Sequence, residues 1–505
     1  MTAQQAYTEL KSRMKEIAIL LSSREVLYWD KETYMPPRGI DHRAEQLAQI
    51  SRLGHEWFVD PKVGEWIAAV EGSDLVKVPE SPEAVNIREW RRTYDRETKL
   101  PKEFVEEFSR TTSKATQVWA EARRKSDFKL FEPHLSKIVD LCRKKADYIG
   151  YETEPYDALL DEFEPGAKVA EIESAFKELR KELVELIGKI EAAPKKPDIG
   201  ILKRPWDVAR QKIFGEIVAA AQGYDFKAGR LGETVHPFCT GLGPNDTRIL
   251  TRYYPEDFAE ALTGTMHEAG HALYDMGLPK EHWGTPMGES ASLGIHESQS
   301  RMWENQVGRS REFWVYFFPQ LRRIFRDETD GITLDDFYGA MNWVSPSYIR
   351  VEADEATYNL HIMLRFELER PILRGEIKTA DIPGEWNQRF KDYLGIEVDK
   401  DSNGCLQDLH WSDGVIGYFP TYALGNMFAA QFWAQAQKDH PGLFDDFTRG
   451  DFSRLLKWLR EKIHLEGFRY YGNDLCRKVT GVPVSHRPLM DYLYDKYTTI
   501  YGISR

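Results

Sequence analysis

Apolar residues recur at helical spacing along most of the chain. Leu10, Met14, Ile17, Leu20 and Leu21 set the pattern, which runs from residue 3 to about 120. It continues over 166–193 and 204–223, with Pro194 and Pro197 breaking it in between. Pro and Gly clusters at 36–39, 241–244, 277–286 and 371–375 mark turns. One stretch departs from this period. Within 234–254, Thr247, Ile249, Thr251 and Tyr253 alternate with Arg248, Leu250 and Arg252, the period-two, β-branched signature of a short strand. A helix follows, bounded by Pro255 and Glu256 at its start and by Gly277 and Pro279 at its end. The expectation is a mostly α protein with a small β-sheet beside that helix.

Composition narrows the class. The chain has 505 residues, 42% of them hydrophobic and 30% charged, which suits a globular protein with ample core. Length alone suggests about three domains, but a large helical enzyme also forms one continuous body, and a single domain over 1–505 is expected here. The formal net charge of -13 repels phosphate backbones, and no basic patch with interleaved aromatics offsets it, so nucleic acid is not an expected partner. Cys142, Cys239, Cys405 and Cys476 form no C-x-x-C pair, which points to a reducing, cytoplasmic setting. The N-terminus reads as an amphipathic helix rather than a signal peptide. No apolar run approaches the roughly 20 residues that span a bilayer, so no membrane association is expected.

The helix after the strand carries the candidate chemistry. Its sequence TGTMHEAGHALYDMG, residues 263–277, holds His267, Glu268 and His271. At about 100° per residue the two histidines lie about 40° apart around the axis and one turn apart along it, so both imidazoles reach one ion. Glu268 lies beside them, placed for a water rather than for the metal. This is the H-E-x-x-H arrangement. Gly264 and Gly270 each cost about 1 kcal/mol of helix propensity, which a close helix contact or a bound metal would offset. Asp275, four residues after His271, is placed either to accept its free ring N–H or to sit solvated at the helix end.

A catalytic zinc site usually has three protein ligands. The segment MGESASLGIHESQSRMWENQ, 287–306, supplies candidates on a helix capped by Ser290 or Ser292 and running to about Gln306. Glu297 is the expected third ligand, with His296 the alternative. Glu304 shares the face of Glu297 but lies two turns, roughly 10 Å, further on, beyond reach of the same ion. Zinc would polarise a carbonyl and lower the pKa of water towards about 7, with Glu268 taking the proton and passing it to the leaving amine.

HPF at 236–238, DTRILT at 246–251, HEAGH at 267–271, HESQ at 296–299, IRVEAD at 349–354 and GCLQDLHW at 404–411 occur in that order, after WDKETYMPPRG at 29–39. From about residue 25 to the end, the chain resembles the carboxypeptidase Taq family of zinc-type metallocarboxypeptidases. The resemblance implies a largely helical fold with a long substrate groove, helices of about 1–230 forming one wall and about 231–505 the catalytic part. It implies His267, His271 and Glu297 as metal ligands, Glu268 as general base, zinc or cobalt as the metal, and a homodimer. It also implies removal of single residues from peptide C-termini with broad specificity, C-terminal proline being spared.

An exopeptidase needs a fixed cation for the free carboxylate, and Arg350 and Arg248 are the candidates; each also has acids nearby for a structural salt bridge. His236 is a candidate pocket residue. His410, with Tyr418 or Tyr422, is the candidate pair of oxyanion donors, a pairing that related helical metallopeptidases use. Asp408 and Gln407 are placed to position His410 or to bind substrate. The strand at 247–253 is either an edge for an extended peptide or an interior strand. The ligand set also accepts cobalt or manganese. Three rival readings stand beside the exopeptidase: an endo-acting oligopeptidase, a di-iron carboxylate protein using a second E-x-x-H at Glu461 and His464, and a non-catalytic helical scaffold.

Overall fold

The computed structural model describes all 505 residues, Met1–Arg505. Twenty α-helices and one three-stranded sheet make up the regular structure. The expected helices at 166–193 and 204–223 are Val169–Ala192 and Val208–Gln222. The chain forms two compact units, each assembled from three separated stretches. One comprises Met1–Thr98, Asp198–Met341 and Phe432–Pro483; the other comprises Lys99–Pro197, Asn342–Gln431 and Val484–Arg505. No helix is long and apolar enough to cross a membrane.

In the first unit, the opening helix Ala3–Thr33 starts with a capping box between Thr2 and Gln5. Its buried stripe, Ala6, Tyr7, Leu10, Met14 and Ile17, packs on Val63, Ile67, Val70, Ile87 and Trp90. The sheet lies in the same unit. β1 (Gly229–Glu233), β2 (Phe238–Gly243) and β3 (Asp246–Thr251) are ordered β1-β3-β2, with β3 parallel to β1 and antiparallel to β2. Pro244 and Asn245 turn β2 into β3. Asn245 has φ 65°, and proline followed by a residue of positive φ is the pattern of a type II turn. The expected strand is thus found, ending at Thr251 rather than Tyr253. It is the middle strand, paired on both sides, so it offers no free edge to a peptide.

The helix carrying the H-E-x-x-H motif is Phe258–Gly277, capped by Asp257, whose carboxylate accepts from the N–H groups of Ala259 and Glu260. Ala269 and Ala272 on one face pack against Ile249 of β3, together with Ala219 and Tyr224. Small residues there bring the helix backbone close to the sheet. A second face meets the helix Leu293–Arg301, capped by Ser292 rather than Ser290. A β-carbon on Gly270 would lie 2.6 Å from the Ser300 Cα and 2.8 Å from the Gln299 carbonyl oxygen. Close helix packing therefore accounts for Gly270. The second helix does not run unbroken to Gln306, because a π turn occupies Met302–Val307.

The second unit is organised around Tyr358–Arg374, a helix buried on nearly every side. Phe366 meets Tyr156 and Phe176 edge-on at ring distances of 5.6 and 5.3 Å. Four polar side chains, Asn359, His361, Arg365 and Glu369, are buried in the same helix. Burial of that kind requires partners, and two of these residues find theirs in the segment carrying His410.

Candidate metal centre

The motif helix and Leu293–Arg301 run antiparallel. Asp275 meets His296 near one end, Gly270 meets Gln299 and Ser300, and His267 meets Glu304 near the other. This places Glu297 opposite the turn between His267 and His271. The two histidine Nε2 atoms lie 3.2 Å apart, and Glu297 Oε2 lies 3.6 Å from His267 Nε2 and 3.4 Å from His271 Nε2. Ligands about 2.0–2.1 Å from a tetrahedral zinc stand roughly 3.3 Å from one another. The three donor atoms thus already have the spacing of ligands around a single divalent ion, and the set of two imidazoles and one carboxylate fits such a cation. Of the two candidates for a third donor, Glu297 is the one that converges.

The surroundings fix the orientation of each donor. Arg301 Nε donates to Glu297 Oε1 at 2.7 Å, which turns Oε2 towards the histidines, and Ser300 Oγ donates to Oε2 at 3.1 Å. Burial opposes the Glu297 charge, but Arg301, His267 and His271 outweigh it and hold this carboxyl well below the usual range. Glu304 Oε2 lies 2.9 Å from His267 Nδ1 and accepts from Arg301 Nη1 at 3.2 Å. Burial again works against the charge, and Arg301 and His267 bring Glu304 down to about 2. Glu304 is beyond reach as a ligand, as the spacing predicts, yet it engages the opposite side of a ligand's ring. Sequence reasoning did not assign it that role.

Asp275 corrects another expectation. It does not accept from His271; its Oδ1 lies 2.9 Å from His296 Nε2 instead. The antiparallel return carries the His296 ring over the last turns of the motif helix, where it stacks on His271 with centroids 4.5 Å apart and planes 25° apart. Burial, reinforced by His296, pushes His271 down to about 4 and keeps it neutral, the form that binds metal.

Glu268 is buried in the same face. Lost hydration lifts its carboxyl to about 7, with His267 opposing and Glu297 adding to the rise. A carboxylate poised near neutrality suits proton abstraction. The other residues of this unit singled out from sequence lie outside the cluster. His236 is exposed in the loop between β1 and β2. Arg248 on β3 makes a bidentate pair with Asp246 at 2.9 Å for both contacts and lies 4.3 Å over the Trp29 ring, the structural salt-bridge alternative.

In the second unit, Arg350 donates through Nε and Nη2 to Asp408 Oδ1 at 3.0 and 2.8 Å, and through Nη1 to Tyr358 at 3.1 Å. Arg365 Nε donates to Asp408 Oδ2 at 2.7 Å. Burial opposes the Asp408 charge, but the two guanidiniums outweigh it and hold the carboxyl well below its usual range. Two cations share one acid, leaving a net positive charge. Gln407 accepts from the Arg350 N–H at 2.8 Å, so it positions that arginine. His410 lies in the same neighbourhood, 5.4 Å from the Tyr418 ring, which is 5.2 Å from Tyr422. Burial brings His410 down to about 4, with Asp408 pulling it up and Arg350 and Arg365 adding to the fall. It is a neutral imidazole at physiological pH, with one N–H to donate.

Glu369, one helical turn after Arg365, anchors the same segment. Its carboxylate accepts from Trp411 Nε1 at 2.7 Å, from the Tyr156 hydroxyl at 2.7 Å and from the Gly417 N–H at 3.2 Å. Sequence reasoning missed both Arg365 and Glu369. The signal was present: two opposite charges four apart within NLHIMLRFELERPIL, an otherwise apolar helix. Burial pushes Glu369 up to about 7 despite its three donors. Between its ordinary value near 4.5 and 7, the folded chain holds a proton that the unfolded chain has released. Folding stability therefore falls as pH rises through that window, by on the order of 3 kcal/mol, and the loss persists above it. Glu369→Gln removes this component. Stability measured by denaturant titration at pH 5 and pH 8 should fall less in the variant than in the parent, and equal pH responses would refute the assignment.

The di-iron alternative lacks its second site. Glu461 is on the helix Ser453–Lys462, whereas His464 lies beyond it, buried, with Nε2 3.0 Å from Gln299 Oε1. The pattern of carboxypeptidase Taq (M32) metallopeptidases matches residues 9–497. The chain is 45% identical to thermostable carboxypeptidase 1 of Thermus thermophilus over 512 residues, covering 99% of this chain and 100% of that protein. It is 38% identical to carboxypeptidase 1 of Bacillus subtilis, with 97% of each chain covered. The crystal structure of the M32 carboxypeptidase from Deinococcus radiodurans R1 superposes with a TM-score of 0.95 at 40% identity, over 99% of this chain and 100% of that one. With the family pattern matched along almost the whole chain, relatives of this identity and the donor cluster in place, this chain belongs to the carboxypeptidase Taq (M32) metallopeptidase family.

Proposed function

We propose that the protein is a zinc-dependent carboxypeptidase that releases single residues from the free C-termini of peptides with broad specificity. The observation that carries this reading is the convergence of His267, His271 and Glu297 within 4.8 Å of one another, with Glu268 buried beside them. A divalent ion held by these three would supply a Lewis acid for the scissile carbonyl and make water acidic enough to react near neutral pH. Cobalt or manganese would suit the same donors.

The chain's own residues supply the rest. Glu268 takes the proton from the attacking water and returns it to the leaving amine. His410, neutral and with one N–H, donates to the oxyanion, with a hydroxyl from Tyr418 or Tyr422 as its companion. Arg350 is the cation for the terminal carboxylate. Asp408 and Arg365 support this role: one acid shared by two guanidiniums holds Arg350 in place without cancelling the local positive charge. Arg248, already paired bidentately with Asp246, closes the strand that carries it rather than binding substrate, and His236 is a substrate contact from an exposed loop. The protein acts as a cytoplasmic homodimer on peptides.

A blocked terminus separates this reading from an endo-acting peptidase. On matched peptides differing only in a free or amidated C-terminus, the free form should lose residues one at a time while the amidated form resists by at least 100-fold, a specificity gap typical of sites built to bind a charged group. Comparable cleavage of both, read by mass spectrometry, would favour the endopeptidase.

A further inference from the structure

Beside the metal centre, within the first unit, lies a cavity of about 660 Å³, within the roughly 300–1,000 Å³ range of ligand pockets. Asp275 and His296 form part of its wall. Because the His296 ring stacks on His271, that wall separates the cavity from the donor cluster by the thickness of one imidazole. Met276 in the last turn of the motif helix and Leu278 just beyond it also line the cavity, at the helix end whose dipole favours a cation.

Most charges around the cavity are committed. Arg24 donates to Glu25 at 2.6 Å, Lys280 to Asn245 at 2.7 Å, and Asp275 holds His296. Asp225 accepts the Lys227 N–H at the outer surface. Glu289 differs. Its side chain is exposed on the cavity wall, and lost hydration, with Glu89 adding to it and Arg92 opposing, lifts its carboxyl to about 7. Its backbone N–H donates to the Pro286 carbonyl, but its carboxylate makes no hydrogen bond or ion pair. An acid on a cavity wall and without a partner gains from a cationic ligand.

This inference rests on the carboxypeptidase reading. A carboxypeptidase substrate extends only one residue past the scissile bond, and that residue carries the carboxylate, which Glu289 would repel. An adjoining cavity with an uncommitted acid therefore suits the other side of the bond. We propose that it takes the peptide segment just N-terminal to the scissile bond, and that Glu289 pairs there with a positive group, a lysine or arginine side chain or, in a short peptide, the free α-ammonium.

The test compares kcat/KM across two sets of peptides with identical C-terminal pairs. In N-acetylated peptides, lysine replaces glutamine at the second or third residue before the scissile bond. In tripeptides, a free N-terminus replaces an acetylated one. The parent protein should favour the charged member of at least one set by about 10-fold, the scale of a charge-assisted contact, and the set that responds identifies which positive group is bound. Glu289→Gln should bring that ratio close to one, and Glu289→Lys should invert it. A ratio unchanged by Glu289→Gln overturns the proposal, as does the absence of any preference in the parent. So does a preference for upstream acids that Arg460→Gln removes, since Arg460 also lines the cavity and would then be the residue that reads charge. Cleavage indifferent to upstream charge defeats this proposal alone, whereas no release from any free-ended peptide defeats the carboxypeptidase reading with it.

Discussion

Replacing Glu268 by glutamine should lower kcat by about 10²- to 10⁴-fold, the usual contribution of a positioned general base. Metal content should be unchanged. The variant keeps the volume of a side chain that is 6% exposed, and Glu268 is not among the three converging donors. It removes only the ability to take and return a proton, so the loss should fall on kcat, with KM nearly constant. Glu268→Asp distinguishes position from charge. It keeps the carboxylate but withdraws it by one methylene, and misplacement on the scale of 1 Å costs on the order of 100-fold. Steady-state kinetics paired with metal analysis of the same samples reads both effects. A glutamine variant that retains turnover at full metal occupancy would remove Glu268 from the mechanism, and a fall explained by lost metal would make it a structural residue instead.

How far the sequence anticipates this site depends on what sets each distance. His267 and His271 are fixed by one helix, whose geometry is independent of the rest of the fold, and their spacing alone brings the two Nε2 atoms together. Glu297 is legible because the next helix, after the connection 278–292, returns antiparallel to the first. The errors begin where tertiary contacts choose between partners. Asp275 has the spacing to serve His271, but the returning helix brings His296 within reach and takes it. β1 and β2 left no trace in the pattern because GRLGE and FCTGLG carry glycine where alternating apolar side chains would signal a strand. They are recruited by pairing with β3, whose own alternation was readable. In the second unit, Arg350, Arg365 and Asp408 are joined across more than 40 positions of sequence. Only the folded chain reveals that one acid is shared between two guanidiniums.

Removing a donor and removing the group that orients a donor should have effects of different size. Glu297→Ala takes away one of three donors and one of the two carboxylates that offset Arg301 beside the imidazoles. The expected result is a protein without stoichiometric metal at micromolar concentration and with activity near background, as after chelation of the parent. Glu304→Ala leaves all three donors in place. It deprives His267 of the acceptor at Nδ1 and Arg301 of one of its two carboxylates, while the bond from Arg301 to Glu297 survives. Loss of such an orienting carboxylate typically costs 10- to 100-fold in metal affinity. Excess zinc or cobalt should therefore restore much of the activity of Glu304→Ala and almost none of that of Glu297→Ala. Competition against a chromophoric chelator measures the affinities directly, and rate against added metal measures the rescue. Glu297 on Leu293–Arg301 and Glu304 in the π turn that follows are seven residues apart, and both engage His267, one at Nε2 and the other at Nδ1. If the two variants responded alike to added metal, the ion would be bound by the four side chains as a unit, and the division between donors and orienting groups would not hold.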